Sequence, residues 1–288
     1  MTPIKHFTSC RGFSLIEMII AITVLGILSA STAVFLRGPI ASYFDTERRA
    51  DMADSGELAM AKLSQEISGA VPNSVRIAPI AGGGFYLEFL PVRSTNGLHS
   101  EGRYRIAGPG NVLSFGVPDA GFDALTPVQV QAGDFIVVNN YRANTYLNPG
   151  PDTDVWAGNT RAVYFGVNGS VTNIGFLVPH LFPPEPLPLP VLPDAPEHRF
   201  QVASGPVTYF CNPVAGTLTR YNGYAISPVQ PQPPAGVPVT LAARISACSA
   251  TFSPGNLRHA GVVALSLTFN SAGDMLSLYH TIRIEPLP

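Results

Sequence analysis

Residues Phe13–Leu36 form one unbroken apolar run of 24 residues whose single charge is Glu17. As a helix rising about 1.5 Å per residue the run reaches roughly 36 Å, enough to cross a hydrocarbon core of about 30 Å. A carboxylate inside such a span costs roughly 2.5–3.5 kcal/mol near the membrane centre. A chain that needed only an anchor gains nothing from it. Glu17 therefore demands a partner, and a group on a neighbouring chain is the expected one.

Two ordinary readings compete for this segment. The basic start (Lys5, Arg11), the apolar stretch and the small residues Ser29-Ala30-Ser31-Thr32-Ala33 are those of a secretory signal peptide. Against that reading, the run is too long for a typical signal and carries an acid near its start. The second is a single-pass anchor without processing. Under any of these readings Lys5 and Arg11 hold the N-terminus in the cytoplasm and the rest of the chain lies outside.

The heptapeptide Arg11-Gly12-Phe13-Ser14-Leu15-Ile16-Glu17 resembles the cleavage and assembly signal of type IV prepilins and type II secretion pseudopilins. The resemblance implies cleavage after Gly12 by a prepilin peptidase and N-methylation of Phe13. It also implies that Glu17 meets the charged N-terminus of a neighbouring subunit during assembly. It covers about a tenth of the chain and implies a pilin-like α+β fold, a long N-terminal helix laid on a β-rich domain.

Composition agrees with a turn-rich, β-leaning exterior domain. The 288 residues include 27 glycines and 28 prolines, and only 12% are charged. A net charge of −2 and no basic run give no electrostatic case for nucleic acid. Of three cysteines, Cys10 precedes the expected cleavage point. Cys211 and Cys248 remain as an even pair in an exported segment, which reads most simply as a disulfide. It closes a loop of about 37 residues, worth roughly 4 kcal/mol as loop-closure entropy. Two cysteines with no histidine at ligand spacing do not make a zinc site.

Beyond the span, Gly38-Pro39 is expected to kink or briefly break the helix. A second helical stretch, Ala41 to Ala70, follows, with Ala53, Gly56, Met60, Leu63, Ile67 and Ala70 on one narrow apolar stripe facing a sheet. Asp45, Glu47, Arg48, Arg49, Asp51, Asp54, Glu57, Lys62 and Glu66 take the other, mostly solvated faces. The division is thus a leader over 1–12, a membrane and assembly helix over 13–36, the second half of the long helix over 37–71, and a β-rich domain over 72–288. Strands are predicted at Phe85–Leu90, Arg103–Ile106, Val112–Val117, Phe135–Asn139, Ala162–Phe165, Arg199–Val202, Val207–Cys211, Thr217–Tyr221 and Leu241–Ala247. The last two, Val262–Asn270 and Met275–Ile284, are expected to form a terminal hairpin with Tyr279, Thr281 and Arg283 on one face. Proline-dense stretches 183–196 and 228–238 read as extended loops and not central strands.

A second, broader resemblance follows the helix end. Pro72-Asn73-Ser74-Val75-Arg76, His198–Val202, Val207–Cys211, Arg220-Tyr221, Cys248 and Leu278-Tyr279-His280 look like the O-type minor pilins of the mannose-sensitive haemagglutinin pilus. J-type minor pseudopilins of type II secretion are related to these. The resemblance implies an inner-membrane minor pilin that helps initiate or build a filament. Its partners are a prepilin peptidase, other major and minor pilins, an inner-membrane assembly platform and membrane lipid. The domain is periplasmic before it enters the pilus or pseudopilus.

No catalytic constellation stands in the sequence. His6, His99, His180, His198, His259 and His280 are scattered without HExxH, and no GxSxG precedes a helix. Gly82-Gly83-Gly84 lacks the lysine and helix of a phosphate loop. Asp152-Thr153-Asp154 offers too few oxygens for calcium by itself. Trp156, Tyr141 and Tyr146 read as core or loop-pinning residues ahead of a binding surface. The expectation is a structural subunit that is not an enzyme and holds no cofactor or metal. The rivals are a type II secretion pseudopilin, a tip adhesin or binding module serving cell adhesion, and a membrane-tethered exported enzyme.

Overall fold

Ile, Val and Thr are frequent in the apolar run, yet one α-helix, Leu15–Ser68, results, because a helix satisfies its backbone groups within the segment where no water can do so. The computed structural model describes residues 13–140, 154–183, 198–255 and 259–284. The leader residues, the stretch from 184 to 197 and the Tyr141, Tyr146, Asp152 and Thr153 positions lie outside the described residues. The chain divides into two units, residues 1–51 and 52–288. In the first unit the helix is exposed over almost its whole length.

The expected break at Gly38-Pro39 does not occur: Pro39 sits inside the continuous helix. A proline removes one hydrogen bond and costs about 3 kcal/mol, which the intact turns on either side absorb. The helix ends at Ser68, two residues before the expected Ala70. Ala70 instead makes an isolated bridge to Pro91.

In the second unit the helix buries Met52, Gly56, Ala59, Met60, Leu63 and Ile67. The stripe predicted from spacing is there, widened by Met52 and Ala59, while Ala53 is only half-buried. These side chains share one core with two antiparallel sheets. The larger sheet runs in the order Arg76–Pro79, Phe85–Phe89, Val207–Asn212, Thr217–Asn222, Val237–Ala243. The smaller, terminal sheet consists of Ile245–Ser253, Gly261–Ser271 and Asp274–Ile284. The predicted terminal hairpin pairs without a register shift from Gly261↔Ile284 to Ser271↔Asp274.

Phe85–Phe89 and Val207–Asn212 are neighbours in the larger sheet, yet the described strands between them in sequence belong to other sheets. That insertion forms a four-stranded sheet, in the order Glu101–Arg103, Arg199–Ala203, Phe135–Val138, Arg161–Val163, and a long two-stranded ribbon, Asp119–Val130 with Gly169–His180. It encloses its own core, where Phe122 meets Phe200 and Phe176 edge to face at 5.0 and 5.9 Å. Aromatic edge-to-face pairs add about 0.5–1.5 kcal/mol beyond their buried area. Trp156 is fully buried in a third cluster with Val71, Leu90 and Val137.

Several strand expectations need correction. Val112–Val117 is not a strand; only Phe115 bridges, to Phe182. The strand expected at Arg103–Ile106 lies at Glu101–Arg103. Leu241–Ala247 is two strands broken at Arg244, whose φ of 63° turns the chain from one sheet into the other. Val237–Ala243 starts inside the proline-dense stretch 228–238. It is an edge strand, where Pro238 is tolerated.

Candidate functional site: the exposed N-terminal helix and its anchorage

The helix begins with a cap that sequence reading overlooked. Ser14 Oγ accepts the Glu17 N–H at 3.3 Å, and the Ser14 carbonyl accepts from Glu17 and Met18 at 3.1 and 3.2 Å. Ser14-Leu15-Ile16-Glu17 has the Ser-x-x-Glu spacing of a capping box, visible in the sequence at this helix start. Glu17 also lies in the first turn, where the helix dipole favours a negative charge. Gly12 lies outside the described residues, and Phe13 is 80% exposed.

Three other polar side chains of the span bond back to the helix itself. Thr23, Ser31 and Thr32 donate their hydroxyls to the carbonyls of Ile20, Ile27 and Leu28 at 2.8–2.9 Å. Such back-bonding suits an environment without water. Among the described residues, none hydrogen-bonds the Glu17 carboxylate. The helix is long and apolar enough to cross a membrane, and its apolar window is entirely unburied. A helix apolar on all sides is stable only in lipid or among other helices.

The second half of the helix is held by both packing and charge. A Cβ on Gly56 would stand 2.5 Å from Leu278 Cδ1 and 3.0 Å from the Phe269 ring, so a larger residue there would have to push these side chains of the terminal hairpin aside. Glu66, assigned by sequence to a solvated face, is instead a clasp. Its Oε2 accepts from Arg220 Nε and from the Tyr209 hydroxyl, each at 2.8 Å, and its Oε1 pairs with Lys62 at 2.8 Å. Burial opposes the Glu66 charge, but the Arg220, Lys62 and Tyr209 hydrogen bonds outweigh it and hold the carboxyl below its ordinary range. Burial and the adjacent Glu66 push the Tyr209 hydroxyl far up, so it stays a donor. His280 Nε2 lies 3.2 Å from Ser64 Oγ on the same stretch of helix.

Beyond the helix end sits a fully buried ion pair. Arg76 Nε donates to Glu88 Oε2 at 2.7 Å, and its terminal nitrogens donate to the carbonyls of Pro228 and Ser227 at 2.6 and 2.9 Å. The guanidinium stacks 3.8 Å from the Trp156 ring centroid, and Trp156 Nε1 donates to the Ser74 carbonyl at 2.9 Å. Tyr224 donates to Glu88 Oε1 at 2.9 Å. Burial pushes the Glu88 carboxyl up, with Arg76 and Tyr224 opposing. This knot ties the proline-dense loop 228–238 to the first two strands of the larger sheet.

Cys211 and Cys248 form a disulfide with Cα atoms 6.6 Å apart, joining the larger sheet to the terminal one. Asp154 is buried and accepts the Trp156 N–H at 2.9 Å, as a turn residue does. Among the described residues no group of three or more His, Cys, Asp or Glu is placed to hold a metal ion.

No curated protein and no solved structure matches the chain. A family model described as the prokaryotic N-terminal methylation motif matches residues 8–33, a span that contains Gly12, Phe13, Ser14 and Glu17. That motif opens a helix whose apolar first part is unburied and which leads into a β-rich domain, an arrangement similar to that of type IV pilins.

Proposed function

We propose that this chain is a minor pilin or pseudopilin, a structural subunit that helps initiate or build a type IV filament of the mannose-sensitive haemagglutinin type. The observation that carries this reading is the methylation motif at the start of a helix whose apolar window is unburied, while its residues from Met52 to Ile67 pack into the core of the β-rich domain. Prepilin peptidase hydrolyses the Gly12–Phe13 bond, and the freed Phe13 amine is methylated. Residues 13–36 wait in the bacterial inner membrane with the N-terminus cytoplasmic and residues 72–288 periplasmic.

On assembly the span leaves lipid for a bundle of other pilins' helices. Glu17, without a hydrogen-bond partner among the described residues, pairs there with a neighbour's N-terminal amine. In a site free of water that attraction is strong enough to select register. Ser14 caps the helix by accepting the Glu17 backbone N–H, which fixes the first turn that carries the carboxylate. The same chemistry serves a surface pilus and a type II secretion pseudopilus.

The test is the intact mass and N-terminal sequence of the protein made with and without a prepilin peptidase. Peptidase-dependent N-methylated Phe13 is expected. A start near Ser31, or an uncleaved chain in both cultures, removes the filament mechanism.

A further inference from the structure

Asp274–Ile284 is the outer strand of the terminal sheet, 11 residues long and paired on one side only, with Gly261–Ser271. The turn before it decides which of its backbone groups are free. Ala272 and Gly273 form a two-residue loop with φ of 52° and 92°, the type I′ geometry, in which the flanking pair Ser271 and Asp274 exchanges both backbone bonds. Bonded and unbonded pairs alternate from there. Leu276, Leu278, His280 and Ile282 therefore bond to the neighbouring strand, while Met275, Ser277, Tyr279, Thr281 and Arg283 direct N–H and C=O to the free edge. The Thr268–Ser277 hydroxyl contact at 3.0 Å agrees, since opposite side chains come closest in an unbonded pair.

Every other sheet edge among the described residues is blunted. Ser94–Thr95 and Leu98–His99 are two residues long, Glu101–Arg103 and Arg161–Val163 three. Arg76–Pro79 has four and ends in proline. Val237–Ala243 contains Pro238 and faces a register shift, and Ile245–Ser253 has a shift of its own. The ribbon strands carry Pro127, Pro179 and two shifts. Such devices keep an edge from pairing with another chain. Asp274–Ile284 has no proline, no lysine and no shift. Leu276 and Leu278 remain half-buried on its helix side, and Met275 and Tyr279 are 67% and 71% exposed on the other.

We propose that this edge takes an extended, uncharged strand from a neighbouring filament subunit, which extends the terminal sheet. The pairing rests on the filament position proposed above. Only an extended backbone matches a row of outward N–H and C=O groups at strand spacing. Asp274 and Arg283 stand at the two ends with no carboxylate, lysine or arginine between them, so the middle of the edge asks for no charge, and its apolar flanks favour an apolar donor. A second copy offering the same strand antiparallel is excluded by direction. The two-fold axis of that pairing stands across the sheet and reverses everything lying along it, including the helix packed there through Gly56 and Ser64. Chains held in one membrane by the same helix end do not point in opposite directions. The donor is a different segment, on a subunit that stands the same way up.

The test compares backbone amide exchange of the full chain in detergent with that of the chain in sheared filaments. The amides of Met275, Ser277, Tyr279 and Thr281 should exchange quickly in detergent and at least about tenfold more slowly in filaments, and those of Leu276 and Leu278 slowly in both. Ser277→Pro deletes one outward N–H at a position where an edge strand tolerates proline. It should fold like wild type by circular dichroism yet be depleted about tenfold from filaments, equivalent to roughly 1.4 kcal/mol. Ser277→Ala, which loses the same hydroxyl and keeps the N–H, should incorporate normally. Equal incorporation of Ser277→Pro, or equally fast exchange in both states, overturns the proposal. Protection already present in detergent assigns the edge to a second copy and overturns it too. If Ser277→Pro does not fold, the exchange of the wild-type chain decides. A methylated chain in filaments with an unprotected edge refutes the edge pairing alone, whereas an unprocessed chain absent from filaments refutes the filament reading with it.

Discussion

Replacing Glu66 by Gln tests whether charge at the helix clasp secures the helix to the larger sheet. The side chain is 15% exposed, so its interactions are only partly screened. Gln preserves the shape and still accepts from Tyr209, but the charge-assisted bond with Arg220 becomes an ordinary one. Charge-assisted bonds contribute about 1.5–3 kcal/mol against about 1 for neutral pairs. The Lys62 pair, whose lysine is 46% exposed, adds no more than about 0.5 kcal/mol. The expected loss is therefore about 2 kcal/mol, or a drop in Tm of about 4–8 °C for a unit of this size. Circular-dichroism melts of the oxidised full chain in detergent measure it. The Glu66 pKa is depressed in the fold, so its contribution is fully present above the unfolded value of 4.5 and fades as pH falls through the lower folded value. The Tm gap between wild type and Glu66→Gln should hold from pH 7 to about 5 and narrow below it. A gap that stays constant down to pH 3, or that never exceeds 1 °C, refutes a charge-based clasp.

Three further outcomes are expected. Arg76→Ala strands the fully buried Glu88 carboxylate and should cost about 3–5 kcal/mol in urea unfolding. The double variant Arg76→Met with Glu88→Leu should recover most of that loss. Reducing Cys211–Cys248 should lower stability by about 4 kcal/mol, read as a lower urea midpoint with little change in secondary structure. Glu17→Gln should be cleaved and inserted like wild type yet be depleted from sheared filaments, scored by intact mass and quantitative blotting. Normal incorporation of that variant would refute the assigned role of the carboxylate.

What the sequence disclosed depended on the range of the interaction. The span was legible because lipid imposes a length and a composition on residues that are adjacent in the chain. The helix stripe was legible because 3.6-residue spacing is local too. The terminal hairpin announced itself through alternation and the Asn270–Asp274 turn, and Cys211–Cys248 through parity. Asp119–Val130 was illegible as a strand. Its Gly121 and Pro127 read as loop signals, and the register shifts that accommodate them exist only opposite Gly169–His180. The role of Glu66 depends on Arg220 and Tyr209, 154 and 143 residues away, and nothing in its own neighbourhood distinguishes it from Glu57. At the candidate site the omission was different in kind. Ser14 to Glu17 is a short-range capping signal, hidden because the same four residues also belong to the cleavage motif.

The insertion between Phe89 and Val207 also bears on the order in which the chain acquires structure. Joining those two strands from an open chain closes about 120 residues, at an entropic cost of roughly 4 kcal/mol before any contact compensates. If the inserted core forms first, its own ends are already side by side, through the Val92–Ala203 bridge and the Arg93–Val202 backbone bond. The long closure then becomes a short one, and the larger sheet zips from that neck outward. A substitution in the core around Phe122 and Phe200 would on this account slow the formation of a sheet it never touches. The helix would find its seat late, only after a region remote from it in the sequence had condensed.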